Sequence, residues 1–70
     1  MDKKNIGKML ISLRGDKTQK EVAEDLKISI SALAMYETGN RIPRDEIKLR
    51  IASYYGKSVQ EIFFDAKCHE

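Results

Sequence analysis

Cysteine and histidine occur once each in this 70-residue chain, side by side as Cys68 and His69. Two adjacent ligands cannot complete a tetrahedral zinc site, and one thiol cannot close a disulfide within the chain. The fold is therefore expected to stand without metal or cross-link. A lone thiol fits a reducing, intracellular compartment. No apolar run approaches the ~20 residues of a membrane span. The first ten residues, MDKKNIGKML, are too short and too charged for a secretory signal. These absences together lead to the expectation of a cytoplasmic protein. A Ser/His/Asp set, a glycine-rich phosphate cradle and metal-ligand spacing are all missing, so neither an enzyme nor a cofactor is expected. No segment alternates over a strand's length, and no repeat or low-complexity run is visible.

What is present is a small, highly charged chain. Thirteen Lys and Arg stand against 11 Asp and Glu, a net charge of +2, so any polyanion partner must be read from where the charges lie. A single domain over residues 1–70 is expected, with its core at about 5–64 and a frayed tail at 65–70. A domain of this size buries only about 60% of the surface of its unfolded chain.

Five stretches have helical spacing. In Asn5 to Arg14, Ile6, Met9, Leu10 and Leu13 fall at i, i+3, i+4 and i+7, and Gly15-Asp16 ends the pattern. Thr18 to Leu26 opens on a capping box, Thr18 with Glu21, and carries Val22, Ala23 and Leu26 on one face. It is barely two turns, too short to persist alone. Lys27-Ile28-Ser29 is a short link, so the second and third helices meet sharply, and Ala23 is small enough to let their backbones approach. The third helix, Ile30 to Thr38, starts at the capping residue Ser29 and stops at Gly39. Pro43 keeps Ile42 out of a helix. The fourth begins near Arg44 or Asp45, with Asp45 and Glu46 at the positive end of its dipole. It buries Ile47, Ile51, Ala52 and Tyr55, leaves Leu49 outside, and ends at Gly56. Ser58 and Glu61 form a second capping box that opens a short fifth helix with Val59, Ile62 and Phe63 apolar. The fold class is all-α.

The third helix carries Ile30, Leu33, Ala34, Met35 and Tyr36, more apolar surface than one buried face needs. Two helices joined by a tight turn, the second with a spare face, make a helix-turn-helix arrangement. Gln19 to Thr38, QKEVAEDLKISISALAMYET, resembles the phage-repressor type of that motif, also called the xenobiotic-response-element type. The resemblance rests on Thr18-Gln19, Ala23, Leu33 and Tyr36-Glu37-x-Gly39. It continues through Arg41-x-Pro43 and Ile51-Ala52-x-Tyr54-Tyr55-Gly56-x-Ser58-Val59, covering about Ile6 to Phe64. The chain departs from that pattern twice. Lys27 stands where the family usually has glycine, and a positive φ there would cost about 1 kcal/mol or more. Lys48 stands at a site often apolar, where helix four would roll or the lysine stem would lie along the core edge.

The resemblance implies an ion pair between Arg14, late in helix one, and Glu37, late in helix three. It also implies a lambda-repressor-like domain that lays helix three in the major groove of double-stranded DNA. Base edges would then face Ile30, Ser31, Ala34 and Met35. Only Ser31 has a polar side chain; the other three can touch thymine methyls but cannot make two-bond pairs with guanine or adenine. The expected site is rich in A·T at the contacted steps, with further discrimination from DNA shape. Phosphates would be held by the start of helix two with Lys17, Thr18, Gln19 and Lys20, by Ser29 at the start of helix three, and by Asn40, Arg41 and Arg44 in the following loop.

The function implied is a transcriptional regulator, a repressor occupying an operator as a homodimer, with Leu49, Ile62 and Phe64 as candidate dimer contacts; Ile62 and Phe63 could instead close the monomer core, which makes Phe64 the better candidate. The chain leaves no room for a sensor domain, so regulation is expected through a protein partner, proteolysis or concentration. The alternative is an antitoxin or protein-interaction module of the same fold, in which Ile30 and Met35 or the C-terminus bind a protein.

Overall fold

Asp2 starts the first helix. Its carboxylate accepts from the backbone N–H groups of Lys4, at 3.0 Å, and Asn5, at 3.3 Å, so α1 (Lys3–Arg14) begins two residues earlier than the apolar spacing suggests. The computed structural model of the protein describes residues 2–64; Cys68, His69 and the expected tail at 65–70 lie outside them. Three further α-helices follow: α2 (Gln19–Leu26), α3 (Ile30–Thr38) and α4 (Asp45–Tyr55). A last segment, α5 (Gln60–Phe64), is wound as a π-helix. No strand occurs among the described residues.

After Asp2, the side-chain caps are those the sequence predicts. Thr18 Oγ1 accepts from Glu21 N–H at 3.0 Å while the Glu21 carboxylate accepts from Thr18 N–H at 2.9 Å. Ser58 and Glu61 repeat the arrangement at 3.0 and 2.8 Å. Ser29 Oγ accepts from Ala32 N–H at 3.0 Å. Arg44 caps α4 without a side-chain bond; there the first-turn carboxylates Asp45 and Glu46 and the stiff Pro43 before them fix the start. Short helices of this kind persist only through packing.

The packing centres on one apolar cluster, to which α1 gives Ile6 and Leu10, α2 gives Val22, Ala23 and Leu26, α3 gives Leu33 and Tyr36, α4 gives Ile51 and Ala52, and α5 gives Ile62 and Phe63. Met9, Leu13, Ile47 and Tyr55 pack around it half-buried. Ile62 is thus a monomer-core residue, 4% exposed. This corrects its assignment as a dimer contact, since it can reach a second chain only by leaving its own core. Lys48 is buried too, with its ammonium 4.9 Å from the Phe64 ring and 5.8 Å from the Phe63 ring. Its stem lies on the core edge, and the charge rests against aromatic faces.

Lys27 adopts the left-handed conformation, φ 61° and ψ 43°. The turn between α2 and α3 therefore keeps the backbone shape that glycine would supply, with a β-carbon in place. Its geometry is held by Ile28 N–H donating to the Ala23 carbonyl at 3.0 Å, which closes the end of α2. Left-handed strain of about 1–2 kcal/mol exceeds the 0.4–1 kcal/mol that glycine loses through a freer unfolded chain. Lys27→Gly should accordingly stabilise the domain by about 0.5–1 kcal/mol, raising the melting temperature by about 2–8 °C in a thermal melt.

Gly7 has the opposite character. It is buried in the middle of α1, where a β-carbon would collide with the carbonyl of Glu37 and lie 3.1 Å from that of Tyr36. The backbones of α1 and α3 touch there. Helix propensity alone would make Gly7→Ala stabilising by about 1 kcal/mol. Overpacking against a backbone atom that cannot swing aside costs about 1–3 kcal/mol, so the net expectation is a loss of up to about 2 kcal/mol, measured by urea denaturation. A gain in stability would show that α1 can slide away from α3.

Candidate nucleic-acid interface

The third helix has two faces. Leu33, Tyr36 and Glu37 turn inward and are buried. Ser31 and Met35 turn outward with Thr38, which shares their face by the same spacing. Ile30, in the first turn, is 46% exposed and Met35 is 41% exposed, while Ala34 is half-buried between the faces. The four residues expected to meet bases therefore reach one side of one helix, Ala34 least of all. Thr38 was legible from periodicity as their neighbour. Its hydroxyl donates to the Met35 carbonyl at 3.3 Å and accepts from the Asn40 side chain at 3.0 Å.

Two helix starts offer free backbone amides. At α2 the Thr18 and Glu21 N–H groups are used in the capping box, which leaves the Gln19 and Lys20 amides free. At α3 the cap takes Ala32 N–H and leaves the Ile30 and Ser31 amides free. Free amides at a helix start, with the positive end of the dipole behind them, suit an anion. Lys20, Arg41 and Arg44 are exposed, and among the described residues their side chains have no hydrogen-bonded or ion-paired partner.

Gln19 and Lys17, both expected at phosphates, have internal partners. The Gln19 amide donates to Glu37 Oε1 at 2.9 Å, so its side chain helps to seat α3 against α2. Lys17 turns toward α4. Its ammonium donates to the Tyr54 hydroxyl at 2.9 Å and sits 5.0 Å above that ring. The Tyr54 hydroxyl in turn donates to Asp25 at 2.6 Å. The bond to Tyr54, more than any other contact, raises the Lys17 pKa. Sequence reasoning missed this chain because its members lie 29 and 37 positions apart.

Behind the outward face lies the pair implied by the resemblance. Arg14 Nε donates to Glu37 Oε2 at 2.8 Å and Arg14 Nη2 to Glu37 Oε1 at 3.2 Å, a two-pronged contact. The Glu37 side chain is 2% exposed and that of Arg14 20%. Arg14 Nη1 also donates to the Lys17 carbonyl at 2.8 Å. One guanidinium thus ties the end of α1, the loop before α2 and the last turn of α3. The hydrogen bonds to Glu37 raise the Arg14 pKa further above its ordinary value, so the charge persists. Nearby, burial first, and then the Tyr54 and Glu37 charges, push the Tyr55 hydroxyl up to about 12. With Glu37 satisfied inside, no unpaired carboxylate of α3 opposes a polyanion laid against Ser31 and Met35.

Leu49 is 63% and Phe64 48% exposed. No helix among the described residues is long and apolar enough to cross a membrane, and no group of His, Cys, Asp and Glu among them could hold a metal ion.

No curated protein and no solved structure matches the chain. A family model does: that of the helix-turn-helix, over residues 10–62, from the middle of α1 into α5. With α2 and α3 joined by a left-handed turn and one face of α3 open to solvent, the chain belongs to the helix-turn-helix family of the phage-repressor, or xenobiotic-response-element, type, a family of DNA-binding regulatory domains.

Proposed function

We propose that the protein is a sequence-specific transcriptional regulator that represses by occupying an operator, with α3 in the major groove. The observation that supports this most is the pairing of an outward apolar face on α3 with unpartnered cations just beyond it. Ile30, Ser31, Ala34 and Met35 would meet base edges. Thr18, Gln19, Lys20 and Ser29 would hold phosphates at the two helix starts, and Asn40, Arg41 and Arg44 would hold those beyond the end of α3. Lys17 would join them only by leaving Tyr54. A single module of this kind buries only about 600–1,000 Å² on DNA, which favours a symmetric dimer with half-sites about 34 Å apart. Leu49 and Phe64 are its proposed contacts.

Selection of bound sequences from random duplexes tests the reading. Three apolar side chains on the reading face should select thymine methyls, giving A·T pairs at the contacted steps. A consensus of contacted G·C pairs would contradict the assignment of the reading residues. Failure to select any duplex would favour the protein-binding alternative, in which Met35 and Ile30 form an adaptable apolar contact.

A further inference from the structure

We propose that the first turn of α1 belongs to the same DNA-contacting edge, with Lys3 and Lys4 bound to phosphates beside those of Asn40, Arg41 and Arg44. This rests on the function proposed above and extends its contact surface to an element that the motif itself does not include.

The placement comes from Gly39. A β-carbon on that residue would stand 3.2 Å from the Cα and the Cγ of Lys4 and 3.3 Å from the Lys3 carbonyl. The backbone of α1 therefore touches the residue that ends α3, two positions before Arg41. Lys4 is exposed. Lys3 is exposed as well.

Neither charge is ion-paired: among the described residues neither ammonium meets a carboxylate. Asp2, their neighbour in sequence, caps the helix by accepting from the backbone amides of Lys4 and Asn5, and the first turn of α1 itself contains no acidic residue. Cations at the start of a helix also oppose its dipole, whose positive end lies there. Two lysines in that turn thus work against the helix that carries them. An anion brought to the end of α3 would meet both their charge and the dipole, and that supplies the reason for their position. The negatively charged surface that α3 is proposed to lie against is the duplex, whose phosphates border the groove on both sides.

The test measures binding of the full chain to its selected duplex and to a random-sequence duplex across a salt series. Lys3→Gln with Lys4→Gln should weaken both duplexes alike, leave the selected consensus unchanged and reduce the slope of log K against log salt by about 1.8 for each protomer bound, about 0.9 per phosphate contact. Lys57→Gln, an exposed lysine after α4, removes the same charge elsewhere and should leave the slope alone. The melting temperature of the double variant should equal or exceed that of the parent, because an unfavourable charge–dipole contact is gone; this separates lost contact from lost folding. A double variant with the parent's slope overturns the proposal, as does an equal drop with Lys57→Gln. If the parent itself shows no salt-dependent duplex binding, the proposed function fails and this proposal with it.

Discussion

Replacing Arg14 with methionine should remove most of the stability of this domain. Glu37 would remain inside, 2% exposed, with only the Gln19 amide, at 2.9 Å, to balance a full negative charge. Breaking a buried pair from one side costs about 3–5 kcal/mol. A chain of this length is stable by about 0.05–0.15 kcal/mol per residue, so the loss is comparable with the whole. At about 4–8 °C per kcal/mol, the melting temperature should fall by more than about 12 °C. Removing Glu37 instead should do less harm. Arg14 is 20% exposed and keeps its bond to the Lys17 carbonyl, so the stranded guanidinium can reach water. The double variant Arg14→Met with Glu37→Leu should recover much of the loss, because replacing both partners by apolar groups is often close to neutral. Urea denaturation of the two single variants and the double gives the coupling energy. Two single losses below about 1 kcal/mol would place the pair among solvent-exposed ion pairs, against its geometry.

This pair shows where the sequence was legible and where it was not. Local signals could be read directly. Thr18 with Glu21, Ser58 with Glu61, Ser29, Gly39 and Gly56 each act within four residues of themselves, and each does what its chemistry predicts. The apolar stripes likewise located the core. Arg14 and Glu37 lie 23 positions apart, and only a family pattern could join them. The contacts of Gln19 with Glu37 and of Lys17 with Tyr54 were not legible, since nothing in the spacing of polar residues on short helices tells which will meet. Gly7 was missed for a different reason. Inside a helical stripe it reads as a weak point, and its purpose, letting α1 lie directly on the α3 backbone, depends on a crossing that no local pattern encodes. Ile62 could be read as a core residue or as a dimer contact, because the start of α5 was legible but its rotation was not. In the structure Ile62 and Phe63 both turn inward and Phe64 stays outside.

The second large effect is expected in the salt dependence of DNA binding, and it also reports the number of chains bound. Neutral donors such as Thr18 and Asn40 fix position but release no counterion; the cations that do so are Lys20, Arg41 and Arg44. With about 0.9 of a counterion released per contact, one protomer should lose about 40-fold in affinity between 50 and 200 mM salt, and a symmetric dimer about 10³-fold. Lys3 and Lys4, if bound as proposed, steepen both figures, and Lys17 would do the same on leaving Tyr54. Arg41→Gln with Arg44→Gln should bring the dimer figure back toward about 10-fold, at equal cost to specific and random duplexes, since phosphate contacts do not depend on sequence. Met35→Ala should behave differently. It leaves every cation in place, so the slope stays and the preference among duplexes narrows. A variant pair in which the arginines altered sequence preference and Met35 altered the salt slope would reverse the two roles, and α3 would then have to lie with its other end toward the bases.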